Sequence, residues 1–130
     1  MIYEPFFRTN LPMQQHIILI EDDQDISEIT CLILESAGYR TTRFGAFTSL
    51  EELTALHADC FLLDENLPGM SGHIISILLK SRASTKNIPV IIFSAGTGLQ
   101  RAVDLGEAQA GIAKPFELDH FLLTVSQVLA

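Results

Sequence analysis

Residues 16–23 read HIILIEDD, a run of five mostly apolar residues that ends abruptly in three acids. Isoleucine dominates the run, and no polar residue alternates with the apolar ones inside it. Such a pattern is typical of a strand that is buried on both faces of a sheet. A second run, CFLLD at residues 60–64, also ends in an acid, so the sequence predicts two buried strands whose carboxyl ends carry carboxylates.

Amphipathic stretches separate the apolar runs. Within residues 23–39, Ile26, Ile29 and Ile33 recur at helical spacing, and Gly38 is placed where a helix should stop. The other predicted strands are at 40–44, 88–94 and 110–113. Two further helices are predicted at 49–57 and 100–105, and two more begin at residue 74 and at about residue 117. Five strand–helix pairs predict an α/β fold with a doubly wound, five-stranded parallel sheet and helices on both faces.

Composition fits one compact domain of 130 residues, since 48% of the chain is apolar and only 18% is charged. The formal net charge of −8 disfavours nucleic-acid binding by this chain. No apolar run reaches the roughly 20 residues of a membrane-spanning helix, so we expect no membrane association. Residues 1–15 lie outside the pattern as a tail or a remnant of cloning and lack the features of a secretory signal. The predicted domain is therefore 16–130.

The two cysteines, Cys31 and Cys60, lie inside apolar stretches and lack C-x-x-C spacing. We expect reduced thiols in the core, which favours a cytoplasmic protein over a secreted one. Four histidines are scattered and are expected to be structural or exposed: His16, His57, His73 and His120.

Polar residues gather where the predicted strands end. In an open parallel sheet, ligands bind beyond the carboxyl ends of the strands. These ends carry Asp22 and Asp23, then Asp64, Ser94 and Lys114. Each could be an ordinary loop or capping residue, but all five fall at the same kind of position. We therefore expect one site that contains all of them.

Three carboxylates in one cleft repel each other unless a cation joins them. Oxygen ligands select a hard ion, Mg²⁺ or else Mn²⁺, and the absence of a histidine at these strand ends disfavours zinc. A carboxylate beside such an ion and a lysine can attack phosphorus and form an aspartyl phosphate. The metal and the lysine would neutralise the charge of the transferring phosphoryl group.

The chain resembles the receiver domain of two-component response regulators. The matching segments are ILIEDD (18–23), LLDENLPGMSG (62–72), PVIIFSA (89–95) and AKPF (113–116), which together span nearly the whole domain. The resemblance implies a flavodoxin-like fold with strand order 2-1-3-4-5. It also implies a phosphoacceptor domain that is not an enzyme in its own right, although it assists its own phosphorylation and dephosphorylation.

The resemblance also assigns roles to residues. Asp64 would accept the phosphoryl group from a histidine kinase or a histidine phosphotransfer protein. Asp23, Asp64 and the backbone carbonyl of Asn66 would ligate Mg²⁺, with Asp22 acting largely through water. Lys114 and Ser94 would bond to the phosphoryl oxygens. The downstream target is unknown, and both a stand-alone receiver and a piece of a longer regulator remain open.

The sequence departs from the family pattern at Gly111, three positions before Lys114, where receivers usually carry an aromatic residue. Phosphorylation chemistry does not need that residue, but the coupling of the site to an output surface does. Three other interpretations fit the sequence less well. A scaffold with a vestigial pocket is opposed by the complete set of site residues. A haloacid-dehalogenase-like phosphatase would carry its nucleophile on the first strand. A dinucleotide-binding domain would need glycines after that strand, where this chain has three acids.

Overall fold

The computed structural model describes residues 14–130. Its strands are β1 (His16–Ile20), β2 (Arg40–Phe44), β3 (Cys60–Asp64), β4 (Val90–Ser94) and β5 (Ala110–Ala113). Its helices are α1 (Gln24–Ser36), α2 (Leu50–Ala55), α3 (Gly72–Lys80), α4 (Leu99–Gly106) and α5 (Leu118–Leu129). Strands and helices alternate as predicted. β4 begins at Val90 rather than residue 88, because Ile88 N–H bonds to Thr85 O in the preceding turn and Pro89 has no N–H.

All neighbouring strands in the sheet pair in parallel, in the order β2-β1-β3-β4-β5. The predicted fold and strand order are therefore confirmed. The three central strands, β1, β3 and β4, are buried along their whole length. Burial on both faces explains why their sequences are continuous apolar runs without polar alternation.

The core lies in two layers, one on each face of the sheet, because alternate residues of a strand point to opposite faces. Ile17 and Leu19 of β1 belong to the layer beneath α1 and α5, whereas Ile18 and Ile20 belong to the layer beneath α2, α3 and α4. Each helix therefore covers one defined face, and the loops after the strands are left free to form a site.

Cys31 and Cys60 are free, buried thiols, as predicted. Burial raises the pKa of the Cys60 thiol to about 12, so it stays protonated at neutral pH. His16 is structural, since its Nδ1 donates to Leu56 O (3.1 Å) and its Nε2 lies 2.7 Å from Thr42 Oγ1. Burial is also the main cause that lowers the pKa of His16 below its ordinary value.

The predicted tail, residues 1–15, falls mostly on residues 1–13, which lie outside the described part of the chain. Gln15 is described, and its backbone carbonyl accepts a hydrogen bond from Arg40 N at 2.9 Å. None of the helices within residues 14–130 combines the length and the apolar character needed to cross a bilayer.

Candidate functional site

The site begins where backbone pairing continues one residue beyond the strands. Glu21 N bonds to Phe44 O (3.0 Å), Glu65 N bonds to Phe93 O (2.9 Å) and Lys114 N bonds to Ser94 O (2.8 Å). These bonds hold the first residue of three loops in register with the sheet. The side chains at the carboxyl edge therefore start from fixed positions and not from flexible loops.

An acidic cluster lies at this edge and consists of Glu21, Asp22 and Asp64. One carboxylate oxygen from each residue lies within 4.8 Å of the others. Glu21 and Asp64 are only 2% and 3% exposed, whereas Asp22 is open to solvent. Such a group of oxygen ligands can hold a metal ion, and it suits a hard cation.

Lys114 brings a positive charge from the end of β5 to the acidic cluster. Its Nζ lies 3.0 Å from Glu21 Oε1 and 3.4 Å from Asp64 Oδ1. The ammonium group also lies over the ring of Phe93, 4.7 Å from the ring centroid, which favours a cation at that place. One lysine offsets at most one of the three carboxylates, so the cluster keeps a net negative charge that a second cation would balance.

The surroundings of Glu21 disfavour the ionised form of its carboxyl group. Burial raises its pKa from 4.5 to about 6. Hydrogen bonds from Asp23 N and from Lys114 act in the opposite direction, while the nearby carboxylate of Asp64 adds to the rise. The neutral form of Glu21 is thus accessible at mildly acidic pH.

Asp23, which the sequence analysis assigned as a direct metal ligand, lies outside the acidic cluster. Its Oδ1 accepts hydrogen bonds from Asp25 N (3.0 Å) and Ile26 N (3.1 Å), so it serves as the N-cap of α1. The structure instead brings Glu21 into the cluster, a residue that the sequence analysis did not select. The acids nearest Asp64 are therefore the first two of the Glu21–Asp23 triplet, not the last two.

Asp64 and Ser94 end neighbouring strands, and Asn66 connects them. Asn66 N donates to Asp64 Oδ1 (3.2 Å), and Asn66 Nδ2 donates to Ser94 Oγ (3.2 Å). Asp64 Oδ1 thus meets both Asn66 and Lys114. Within residues 14–130 the N–H donors to Asp64 both bond to Oδ1 and none bonds to Oδ2, so this oxygen remains available for chemistry.

The turn between β3 and α3 is tightly anchored beside Asp64. The carboxylate of Glu65 accepts hydrogen bonds from both His73 N (2.8 Å) and His73 Nδ1 (2.6 Å). A Cβ at Gly72 would lie 2.5 Å from the backbone oxygen of Asp64. Only glycine fits this close approach, which explains the glycine that begins α3 and keeps Asp64 in place.

Gly111, the position without an aromatic side chain, is covered by α4. A Cβ at this residue would lie 2.7 Å from Val103 Cγ2 and 3.1 Å from Leu99 Cδ1. Leu99 and Val103 therefore occupy the space over β5 next to the missing side chain.

The amino-acid sequence matches the family described as "Response regulator receiver domain" over residues 17–126. The chain belongs to the response regulator receiver family. Receivers are signalling domains of two-component systems, and they pair with histidine kinases or phosphotransfer partners. The family match and the hydrophobic pattern of the strands therefore both indicate the receiver fold.

Two curated relatives illustrate the range of this receiver's family. The phosphate regulon transcriptional regulatory protein PhoB of Klebsiella pneumoniae is 31% identical over 121 residues, which cover 90% of this chain and 52% of PhoB. The polar-differentiation response regulator DivK of Brucella ovis is 28% identical over 90% of this chain and 98% of DivK. The receiver thus spans about half the length of PhoB and nearly the whole of DivK.

Solved structures show the same receiver fold. The chemotaxis response regulator CheY4 of Vibrio cholerae has a TM-score of 0.82 at 20% identity, covering 90% of this chain and all of CheY4. The receiver domain of the sensor histidine kinase PA1611 of Pseudomonas aeruginosa PAO1 has a TM-score of 0.81 at 21% identity, over 90% and 98% of the two chains. That structure contains a magnesium ion coordinated in the active-site cleft.

Proposed function

We propose that this receiver accepts a phosphoryl group on Asp64 in a Mg²⁺-dependent reaction and thereby changes a surface that other proteins recognise. The observation that supports this proposal most is the placement of buried Asp64 beside Lys114 and two further acids, with its N–H donors on Oδ1 and none on Oδ2 among the described residues. Buried like charges are costly, and a structural role alone gives no reason to collect them.

The donor set fits a magnesium ion. Asp22, Asp64 and the backbone carbonyl of Asn66 would hold it, and Glu21 would contribute from the buried side of the cluster. PA1611 is a receiver that carries magnesium in its cleft, which supports the same ion here. When bound, the ion would supply positive charge against the oxygens of the transferring phosphoryl group.

Three side chains of this receiver have separate roles in the proposed phosphoryl transfer. A free oxygen of Asp64 attacks the phosphorus of a phosphohistidine, so a P–O bond forms as the P–N bond breaks, and the leaving imidazole takes up a proton. Lys114 would stabilise the negative charge on the phosphoryl oxygens, since its ammonium already lies against Asp64. Ser94 would donate its hydroxyl proton to a phosphoryl oxygen after transfer.

A protein phosphodonor is favoured by the surface beside the site. An apolar cavity of about 370 Å³ adjoins Lys114 and is lined mainly by Ile26, Ile29, Pro115 and Phe116. Ile29 is 56% exposed on α1. An exposed apolar patch beside a charged site suits a partner that presents its phosphohistidine on a helical surface. This agrees with a histidine kinase or phosphotransfer protein as donor.

The test is phosphorylation by a small phosphodonor such as acetyl phosphate, with and without Mg²⁺. We expect an acid-stable, base-labile product in the wild type and its loss in Asp64→Asn. Asp59→Asn is the control, because Asp59 directly precedes β3 at the opposite end of the sheet. Labelling that persists in Asp64→Asn would contradict the assignment of Asp64. A wild type that takes up no label with either a small donor or a kinase would favour a phosphorylation-independent scaffold.

A further inference from the structure

Asn66 bridges the two residues that would act on either side of a phosphoryl group. Its backbone N–H bonds to Asp64, and its side-chain amide bonds to Ser94 Oγ across 28 positions of sequence. Asn66 is itself exposed, so burial does not account for this arrangement. The bridge places one side chain where it can control the geometry of the Ser94 hydroxyl.

The Ser94 hydroxyl accepts two hydrogen bonds. Asn66 Nδ2 donates from 3.2 Å and Gly96 N donates from 3.3 Å. A hydroxyl oxygen has two lone pairs and one proton, so both acceptor positions are filled. The proton is then left with the third direction, and in the described part of the chain no group accepts it. Ser94 is only 3% exposed, so this donor has little access to bulk water.

We infer that Asn66 is a positioning residue that presets the Ser94 hydroxyl as a hydrogen-bond donor toward a phosphoryl oxygen on Asp64. The inference rests on the proposed phosphoacceptor function and adds a role for an amide side chain that the chemistry itself does not require. Asn66 acts through Ser94 and never through a contact of its own side chain with phosphorus.

The magnitude follows from the rotation of the hydroxyl. Without Asn66, the Gly96 N–H still fills one of the three staggered positions around Ser94 Oγ, so the O–H bond can occupy two, and only one of them points at the ligand. Restricting it to that position favours binding by up to about twofold. The effect is small, but it must disappear completely when the hydroxyl is absent, and that dependence makes the inference testable.

The experiment is a double-mutant cycle on the full chain, with beryllofluoride as the phosphoryl mimic at saturating Mg²⁺. The four proteins are wild type, Asn66→Ala, Ser94→Ala and the double variant, and the dissociation constant of the mimic is measured by calorimetric titration. We expect about twofold weaker binding in Asn66→Ala and no further loss when the same change is made in Ser94→Ala.

Two readouts separate this role from a structural one. Mg²⁺ affinity without fluoride should be equal in wild type and Asn66→Ala, because the backbone carbonyl at residue 66 is retained. Asn66→Asp should weaken binding of the mimic more than Asn66→Ala does, because a carboxylate would accept the Ser94 proton. The added negative charge is controlled by making Asn66→Asp in the Ser94→Ala background as well.

Three results would overturn the inference. Tighter binding in Asn66→Ala would mean that the bond holds Ser94 away from the ligand. An equal loss with and without the Ser94 hydroxyl would mean that Asn66 acts by another route. If Asn66→Asp binds the mimic as tightly as wild type does, the side-chain oxygen of Asn66 accepts the hydroxyl proton of Ser94 in the wild type. If the wild type binds the mimic and any one of these results occurs, the inference about Asn66 fails and the proposed function stands. If the wild type neither binds the mimic nor becomes phosphorylated, the proposed function fails as well.

Discussion

Asp22 and Asp23 are neighbours in the chain, but their carboxylates meet different partners. Asp22 lies in the acidic cluster with Asp64, whereas Asp23 caps α1 through Asp25 N and Ile26 N. Asparagine caps a helix about as well as aspartate does. Asp23→Asn therefore removes one charge and keeps the cap, which makes it a matched control for Asp22→Asn.

We predict that Asp22→Asn weakens Mg²⁺ binding by at least about tenfold, because it removes a ligand from the cluster. Asp23→Asn should leave the affinity nearly unchanged. The measurement is the melting temperature as a function of Mg²⁺ concentration, since a ligand that binds the folded state raises it by mass action. If Asp23→Asn loses the response and Asp22→Asn keeps it, the ligand assignment made from the sequence is right and the one made from the structure is wrong.

Glu21 makes stability depend on pH when no metal is present. Its folded-state pKa is about 6, above the ordinary value of 4.5, so its favourable contribution is complete below pH 4.5 and is lost as the pH rises through 6. Glu21→Gln should therefore be more stable than wild type at pH 7.5, by on the order of 1 kcal/mol, since one pKa unit is worth about 1.4 kcal/mol and the shift is shared with Asp64.

The gain from Glu21→Gln should shrink as the pH is lowered from 7.5 to 4.5. Urea unfolding in the presence of a chelator measures both values. Glu28→Gln, an exposed change on α1 with the same loss of charge, is the control and should show no comparable gain. A gain that does not vary with pH would show that the ionisation of Glu21 is not its cause.

At the scale of the elements, α4 rests directly on β5 because Gly111 has no side chain. We predict that Gly111→Ala destabilises the fold by about 1–3 kcal/mol, since its Cβ would lie 2.7 Å from Val103 Cγ2. Val103→Ala in the same chain should recover part of the loss by making room. Gly45→Ala is the control, because nothing lies within 4 Å of a Cβ at Gly45. Denaturant midpoints of the wild type and these three variants test the prediction, and equal effects at residues 45 and 111 would contradict it.

The strands and helices could be predicted from the sequence because the central strands are apolar without interruption. Their carboxyl ends were equally clear at Asp64 and Ser94, which are the first polar residues after their apolar runs. Glu21 is also the first polar residue after its run, but it was missed because three acids follow β1 and their types do not show which of them is buried. The buried side chain of Glu21 pairs with Lys114, a partner distant in sequence that no local pattern reveals.

One local signal indicates the capping role of Asp23. An aspartate directly before the helical pattern that starts at Gln24 is a preferred N-cap, and its side chain is then occupied by backbone N–H groups. The packing of Leu99 and Val103 over Gly111 had no such signal. It depends on how closely α4 approaches β5, a distance that is set by the tertiary fold.

At the scale of the whole molecule, the loop that follows β4 connects the site to α4. Gly96 N bonds to the Ser94 hydroxyl, and Leu99, three residues later, packs over Gly111. A phosphoryl mimic that attracts Ser94 should therefore displace the loop and α4. We predict large backbone amide shift changes at residues 94–105 on adding beryllofluoride and Mg²⁺, and small ones at 108–112, which β4 pairing holds in place.

Mg²⁺ alone gives the reference spectrum, so that changes caused by the metal are subtracted. The amino-end residues of the sheet, such as His16, serve as an internal control because they lie at the opposite edge. Changes on β5 that equal those on α4 and continue into α5 would show that the signal follows another route.

The ion pair between Lys114 and Glu21 joins residues 93 positions apart, at the ends of the last and the first strand. On a ribosome that adds about 5–20 residues per second, the acids of β1 leave the tunnel roughly 5 to 19 seconds before the lysine does. During that interval the growing chain carries its acids without Lys114, the cation of the proposed site. We therefore expect that a truncated chain that lacks β5 is not phosphorylated by any phosphodonor, and that only the chain with all five strands can act as a receiver.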